Sequence, residues 1–183
     1  MRRMLLVAAL AALTVASAVA ETTRKEDAGL RYSVPTTWQR VPAPSDMRAA
    51  QYRIPRASTD TEDGELVLFF FGKGQGGGVA QNVERWYGQF TQPDGRPTKE
   101  TAVIMKRRVN GLEITEVDLS GTYKPAAMGG GPAAEKPNYR MLAAVVEGEG
   151  GPWFFRATGP KATIQNAQAD FAEMLMSLEP HAR

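Results

Sequence analysis

Apolar and polar positions alternate through Gly29-Leu30-Arg31-Tyr32-Ser33-Val34, the pattern of a half-buried strand. Pro35 stops it, and a short continuation runs from Trp38 to Val41. Pro42-Ala43-Pro44 is a stiff break before a second strand, Met47 to Ile54. Ala57 to Gly64 is a polar, acidic turn. Glu65 to Phe71 is the clearest strand of the chain. It is apolar on both faces, so it belongs in the middle of a sheet with layers above and below. The run Gly72–Gly78 breaks it. The period then changes to helical: Val79, Val83, Trp86 and Phe90 share one face of a helix over about 79–90, with Asn82, Arg85 and Gln89 off that face.

Thr101–Val109 and Leu112–Tyr123 flank Asn110-Gly111, a dipeptide suited to the positive φ angles of a type I′ turn. A two-residue loop sets Val109 opposite Leu112 and Arg108 opposite Glu113, a favourable charge pair. Residues 124–138 contain three prolines and Gly129-Gly130-Gly131 and read as a mobile loop. Tyr139–Glu147 and Trp153–Thr158 are two further strands. A last helix opens near 160–163 and ends before Pro180, with Ile164, Ala167, Phe171, Leu175 and Leu178 as its apolar stripe. Three strands, a helix, a hairpin, a strand pair and a terminal helix make an α+β domain over 29–180. Its sheet is mainly antiparallel and its helices cover both faces. Residues 21–28 are polar and read as a flexible leader.

Met1-Arg2-Arg3-Met4, an apolar run, and Ala16-Ser17-Ala18-Val19-Ala20 follow the order of a signal peptide over residues 1–20, cleaved before Glu21. The run from Met4 to Ala20 is 17 residues, short for a membrane span. No later stretch approaches one, so the mature chain is expected to have no transmembrane segment and to be periplasmic or secreted. Export changes the charge balance. The whole chain has 22 Lys and Arg against 20 Asp and Glu, and losing Arg2 and Arg3 leaves the mature chain neutral. Nucleic acid is therefore not an expected partner. The absence of cysteine excludes disulfides, thiolate catalysis and cysteine-based metal sites.

Candidate chemistry is sparse. Gly72-x-Gly74-x-x-Gly77 follows a strand and precedes a helix, as a dinucleotide fingerprint does. Its strand does not open a parallel βαβ unit, however, and no Gly-Lys-Ser/Thr follows. Backbone amides around Gly74, Gly76, Gly77 and Gly78, with Asn82 and the cations Lys73 and Arg85, are the candidate contacts for an anion or a partner. Glu116 and Asp118 share a strand face with Arg107 diagonally across the hairpin, a spacing that suits acid–base work if a pocket encloses it. The acids of Asp60–Glu65 fail the calcium-loop pattern, because the twelfth position is Phe71. His181, the only histidine, is the third residue from the end and reads as incidental. Alternation splits Lys106-Arg107-Arg108 between two faces. Trp38, Trp86 and Trp153 read as core. No metal and no cofactor is expected.

Tyr32-Ser33-Val34-Pro35-Thr36-Thr37-Trp38, with the element order, resembles the PsbP/Mog1-like superfamily. Its members open an α/β/α sandwich with a strand, a proline and a nearby tryptophan. The stretch Gly76 to Trp86 is similar to a set of uncharacterised bacterial secreted proteins. The superfamily likeness implies an accessory role in binding, assembly or stabilisation of an envelope or membrane complex, and brings no site residues with it. Three functions follow as expectations. The first is a non-enzymatic interaction module for a protein or envelope component, using the Gly72–Gly78 and 124–138 loops. The second is an anion-binding protein built on the glycine loop. The third is an acid–base hydrolase at Glu116 and Asp118.

Overall fold

The computed structural model describes residues 20–125 and 134–181. The expected signal peptide, except Ala20, lies outside those residues, as does 126–133 of the expected loop. In chain order the elements are β1 (Thr22–Asp27), β2 (Leu30–Pro35), β3 (Gln39–Arg40), β4 (Arg48–Ile54), β5 (Gly64–Phe70), α1 (Val79–Tyr87), β6 (Phe90–Thr91) and α2 (Thr98–Thr101). They continue with β7 (Val103–Val109), β8 (Leu112–Tyr123), β9 (Lys136–Glu147), β10 (Trp153–Pro160), α3 (Lys161–Asn166), α4 (Gln168–Met176) and β11 (Glu179–Pro180).

Eight strands form one antiparallel sheet in the order β3-β4-β5-β10-β9-β8-β6, with β7 also beside β8. The Asn110-Gly111 turn has positive φ at both residues and gives the expected register, Val109 opposite Leu112 and Arg108 opposite Glu113. β5 is central, as its two apolar faces require, between β4 and β10. A smaller sheet, β1-β2-β11, stacks with α3 and α4 on one face. Leu30, Tyr32 and Val34 of β2 join Phe171 and Leu175 of α4 and Leu68 and Phe155 of the sheet in one core. All five residues of the predicted terminal stripe are buried there. On the opposite face, Val83 and Trp86 of α1, with Phe90, pack on Val117, Met141, Val145 and Phe154 of β8, β9 and β10 in a second core.

Several elements differ from the sequence reading. Residues 22–27 are not a loose leader. They form β1, paired with β2 from Thr22–Pro35 to Asp27–Leu30. The strand holds by backbone pairing and by Asp27, which accepts hydrogen bonds from Tyr32 Oη at 2.6 Å and from Arg40 at 2.6 and 3.0 Å. The first helix ends at Tyr87 rather than Phe90, and Phe90 starts β6. A helical turn, α2, precedes β7, which begins at Val103. The terminal helix is broken at Ala167 into α3 and α4, and the chain then adds β11 to β2. β9 begins at Lys136, three residues before the predicted Tyr139.

Phe155 has no exposed surface and meets Tyr32 edge-on at 5.9 Å, joining the small sheet to the large one. Phe155→Ala is expected to lower unfolding free energy by about 3–5 kcal/mol, read as a reduced urea midpoint with an unchanged slope.

Candidate functional site

The two faces of the large sheet are covered unequally. Seven strand positions at about 4.8 Å spacing make a sheet roughly 29 Å across. A nine-residue helix is only about 14 Å long and 10 Å wide. α1 covers β8, β9 and part of β10, and beyond it the sheet carries a cleft of about 550 Å³.

The floor of the cleft comes from strand alternation. Phe69 lies on β5, Phe71 two residues on, and Phe154 and Arg156 come from β10, with Phe154 opposite Phe69 and Arg156 opposite Val67. Phe69 and Phe71 stack at 6.2 Å and 15°, and Phe71 meets Phe154 at 6.0 Å. Two guanidinium groups sit over Phe69: Arg156 Cζ lies 5.6 Å from the ring centre and Arg48 Cζ 5.9 Å from it. Phe71 remains 40 % exposed. The helix side is formed by Gln81, Asn82, Arg85, Trp86 and, just beyond α1, Gln89.

Arg156 is the unusual group. Its Nε is buried with no hydrogen-bond partner, and no side chain among the described residues forms an ion pair with it. Residues 1–19 and 126–133 contain no Asp or Glu. The acid with most influence on it, Glu65, is engaged by Arg48 at 3.4 Å and by Gln51 at 2.5 Å. Burial lowers the guanidinium's pKa, opposed by Tyr123 and Glu65 and reinforced by the cations Arg48 and Arg85. An uncompensated cation in such a place costs stability unless a ligand compensates it. Gln89 Oε1 is a second buried atom of the cleft without a partner.

The sequence-predicted contacts divide into two groups. Gly76, Gly77, Asn82 and Arg85 border this cleft. Lys73, Gly74 and Gly78 border a neighbouring hollow against Glu147 and Gly148, which Gly77 also touches. Asn82 lies inside the helix–sheet contact rather than off it, at 2 % exposure. It works on the loop: its Nδ2 donates to Gly76 O and Gly78 O, both at 3.0 Å, and Arg85 donates to its Oδ1. Gly78 N–H donates to Gln81 Oε1 at 3.2 Å. Gly76, at φ +81°, lies so close to the floor that a Cβ there would sit 2.7 Å from the Phe154 ring. The loop is thus a clamped rim of the cleft, and its polar groups are partly spent on holding it.

The sequence reading misses Phe69, Phe71, Phe154, Arg156 and Gln89. A signal for Arg156 is present: a single cation inside the apolar stretch Trp153–Ala157 must find a partner or be a site.

On the other face, Glu116 and Asp118 point toward α3 and α4, and each has an arginine. Arg107 ion-pairs with Glu116 across the hairpin. Arg140 of β9 grips Asp118 with two bonds of 2.9 and 2.6 Å and donates to Gln165 and Gln168 at 2.6 and 2.9 Å. Burial raises the Glu116 pKa against the pull of Arg107. The acidic turn is likewise engaged. Asp60 accepts from Thr163 N and Oγ1 at 2.7 and 2.6 Å near the start of α3, and Glu62 pairs with Lys136 at 2.6 Å. No acid or histidine cluster suited to a metal occurs among the described residues. β5 pairs antiparallel with both neighbours, so the glycine run has no parallel βαβ setting.

In sequence, no family model and no curated protein matches this chain. In structure it is similar to cyanobacterial PsbP (CyanoP) from Synechocystis sp. PCC 6803, with a TM-score of 0.53 and 13 % identity over 89 % of this chain and 94 % of that one. It is also similar to PA94 from Pseudomonas aeruginosa, a protein of unknown function, with a TM-score of 0.51 and 10 % identity over 88 % of this chain and 99 % of that one. At such identities the likeness shows the fold: the chain is PsbP-like, a mixed α+β architecture with mainly antiparallel sheets. No helix among the described residues is long and apolar enough to cross a membrane.

Two stability measurements separate the arginines. Arg156→Met removes an uncompensated buried cation and should stabilise the unliganded protein, on the order of 1 kcal/mol after loss of the ring contact. A destabilised variant would make Arg156 a structural residue. For Glu116, a raised folded-state pKa means that the folded chain holds the proton more tightly than the unfolded one. Its contribution therefore falls as pH rises through the carboxylate range. Glu116→Gln should be at least as stable as the parent at pH 7, with the difference vanishing below about pH 4.

Proposed function

We propose that this chain is an exported, non-enzymatic accessory module that recognises a protein or envelope component through the cleft at the margin of α1. The observation that carries the reading is Arg156, a largely buried guanidinium without an ion-pair partner among the described residues, set among phenylalanines at the edge of a helix. Aromatic and arginine side chains are the groups that most often anchor binding surfaces. The PsbP-like fold supports an accessory role by analogy of architecture. The carboxylate pair that would serve hydrolysis is instead tied to Arg107 and Arg140.

Export fits the N-terminal part of the fold. Thr36 N–H donates to Glu21 O at 2.8 Å, and β1 starts at Thr22. Cleavage before Glu21 therefore removes no strand residue.

Cross-linking of intact cells producing tagged wild-type or Arg156→Gln protein tests the reading, after purification from the envelope fraction. The mature chain is expected to begin at Glu21. One stoichiometric partner should accompany the wild type, with recovery reduced about tenfold or more in the variant. An uncomplexed monomer would refute the module reading, and equal recovery with both proteins would remove the cleft from it.

A further inference from the structure

The two unpartnered atoms of the cleft are of opposite kinds. Arg156 Nε is a donor and Gln89 Oε1 an acceptor. An occupant satisfying both needs an anionic acceptor and, beside it, a donor N–H or O–H. A second guanidinium, Arg85, borders the same space from α1 and acts on Arg156 electrostatically. The planar fork of a guanidinium matches a carboxylate through two parallel hydrogen bonds.

The remaining wall selects the body that carries the anion. Phe69, Phe71, Phe154 and Trp86 line it, Phe71 in ring contact with the other two phenylalanines, and Phe71 is partly exposed. Aromatic partners prefer offset or edge-on contact with such rings. The volume, about 550 Å³, is that of a small-molecule or single-residue site. A bare phosphate or sulfate would occupy a small part of it and offer nothing to the rings. Of the glycine-loop donors, the Gly78 amide is already given to Gln81 Oε1, and Asn82 spends its own Nδ2 on the Gly76 and Gly78 carbonyls rather than on a ligand.

Resting on the reading of this cleft as the binding site, we propose that it takes a carboxylate carried on an aromatic body with an amide N–H beside it. That is the chemistry of an N-acylated aromatic amino acid, free or as the last residue of a peptide. The carboxylate meets Arg156 and Arg85, the ring joins the phenylalanine cluster, and the amide N–H donates to Gln89 Oε1.

Isothermal titration of the mature protein tests this with N-acetyl-phenylalanine, its C-terminal amide, 3-phenylpropanoate, inorganic phosphate, and a short peptide ending in phenylalanine with a free carboxylate. Saturable binding of N-acetyl-phenylalanine is expected, about tenfold or more weaker for the amide and in Arg156→Gln. 3-Phenylpropanoate, lacking the N–H, should bind less well, and phosphate alone not at all. Arg85→Gln, at an exposed position of α1 that borders the cleft, guards against misfolding of the Arg156 variant. It should weaken the same ligand. Tighter binding of the peptide than of the single residue assigns the source to a chain terminus, and equal affinity assigns it to a small molecule. Equal binding of acid and amide, unchanged affinity in both variants, or no carboxylate binding at millimolar concentration would overturn the proposal. If a partner still co-purifies in an Arg156-dependent manner while no carboxylate binds, the module reading stands and the ligand class falls. If the carboxylate binds and no partner is found, the ligand class stands alone.

Discussion

Unequal cover on a wide antiparallel sheet is the constraint from which the other features follow. One face is closed by α3, α4 and the β1-β2-β11 sheet, and its buried residues are almost all apolar. Among the described residues the longest helix on the other is α1, whose nine residues cannot span it. Strand alternation must place side chains on that face regardless. Under the helix they are Val117, Met141 and Val145, which build the second core. At the helix margin the same rows continue as Phe69, Phe71 and Arg156, in a cleft rather than a core. The cleft is thus a consequence of helix length set against sheet width, and the glycine loop that starts α1 forms its rim.

Local pattern makes most of the large sheet legible from the sequence alone. The Asn110-Gly111 turn fixes the register of a hairpin, because both φ angles must be positive and the loop has two residues. The doubly apolar run at Glu65–Phe71 places β5 centrally, and the helical stripe from Ile164 to Leu178 finds its core. What pattern does not reveal depends on long-range pairing. Thr22–Asp27 has no apolar alternation, so nothing local marks it as a strand. It is held by the backbone of β2 and by Asp27 reaching Tyr32 and Arg40. The break at Ala167 is similarly silent, since the stripe continues through it.

The site is half legible. A glycine-rich connection before a helix draws notice to Gly76, Gly77, Asn82 and Arg85, all of which border the cleft. The helical wheel, however, assigns Asn82 to solvent because its amide is polar, and the fold buries it because that amide has two carbonyls to hold. In sequence the loop reads as presenting its own backbone to a ligand. It is instead fastened by Asn82 and Gln81, and the floor of the cleft comes from side chains of β5 and β10 that are distant in sequence. Only the register of β5 with β10 brings Phe69 opposite Phe154 and sets Arg156 two residues further along.

Arg140 and Arg156 differ in pairing rather than in burial. Both lie on strands of the same sheet and both are largely withdrawn from water. Arg140 faces the closed side and meets Asp118 with two bonds, then Gln165 and Gln168, so that its charge is balanced and its donors are used. Its removal would leave Asp118 unbalanced within the closed layer, which is the mark of a group that holds the fold. Arg156 faces the incompletely covered side, where burial lowers its pKa against Tyr123 and Glu65, the like charges of Arg48 and Arg85 add to that, and its closest ring is Phe69. A cation–ring contact offsets only part of the cost of withdrawing a charge from water. Arg156 therefore lies beside aromatic surface without an ion-pair partner among the described residues, an asymmetry with Arg140 that the incompletely covered face creates.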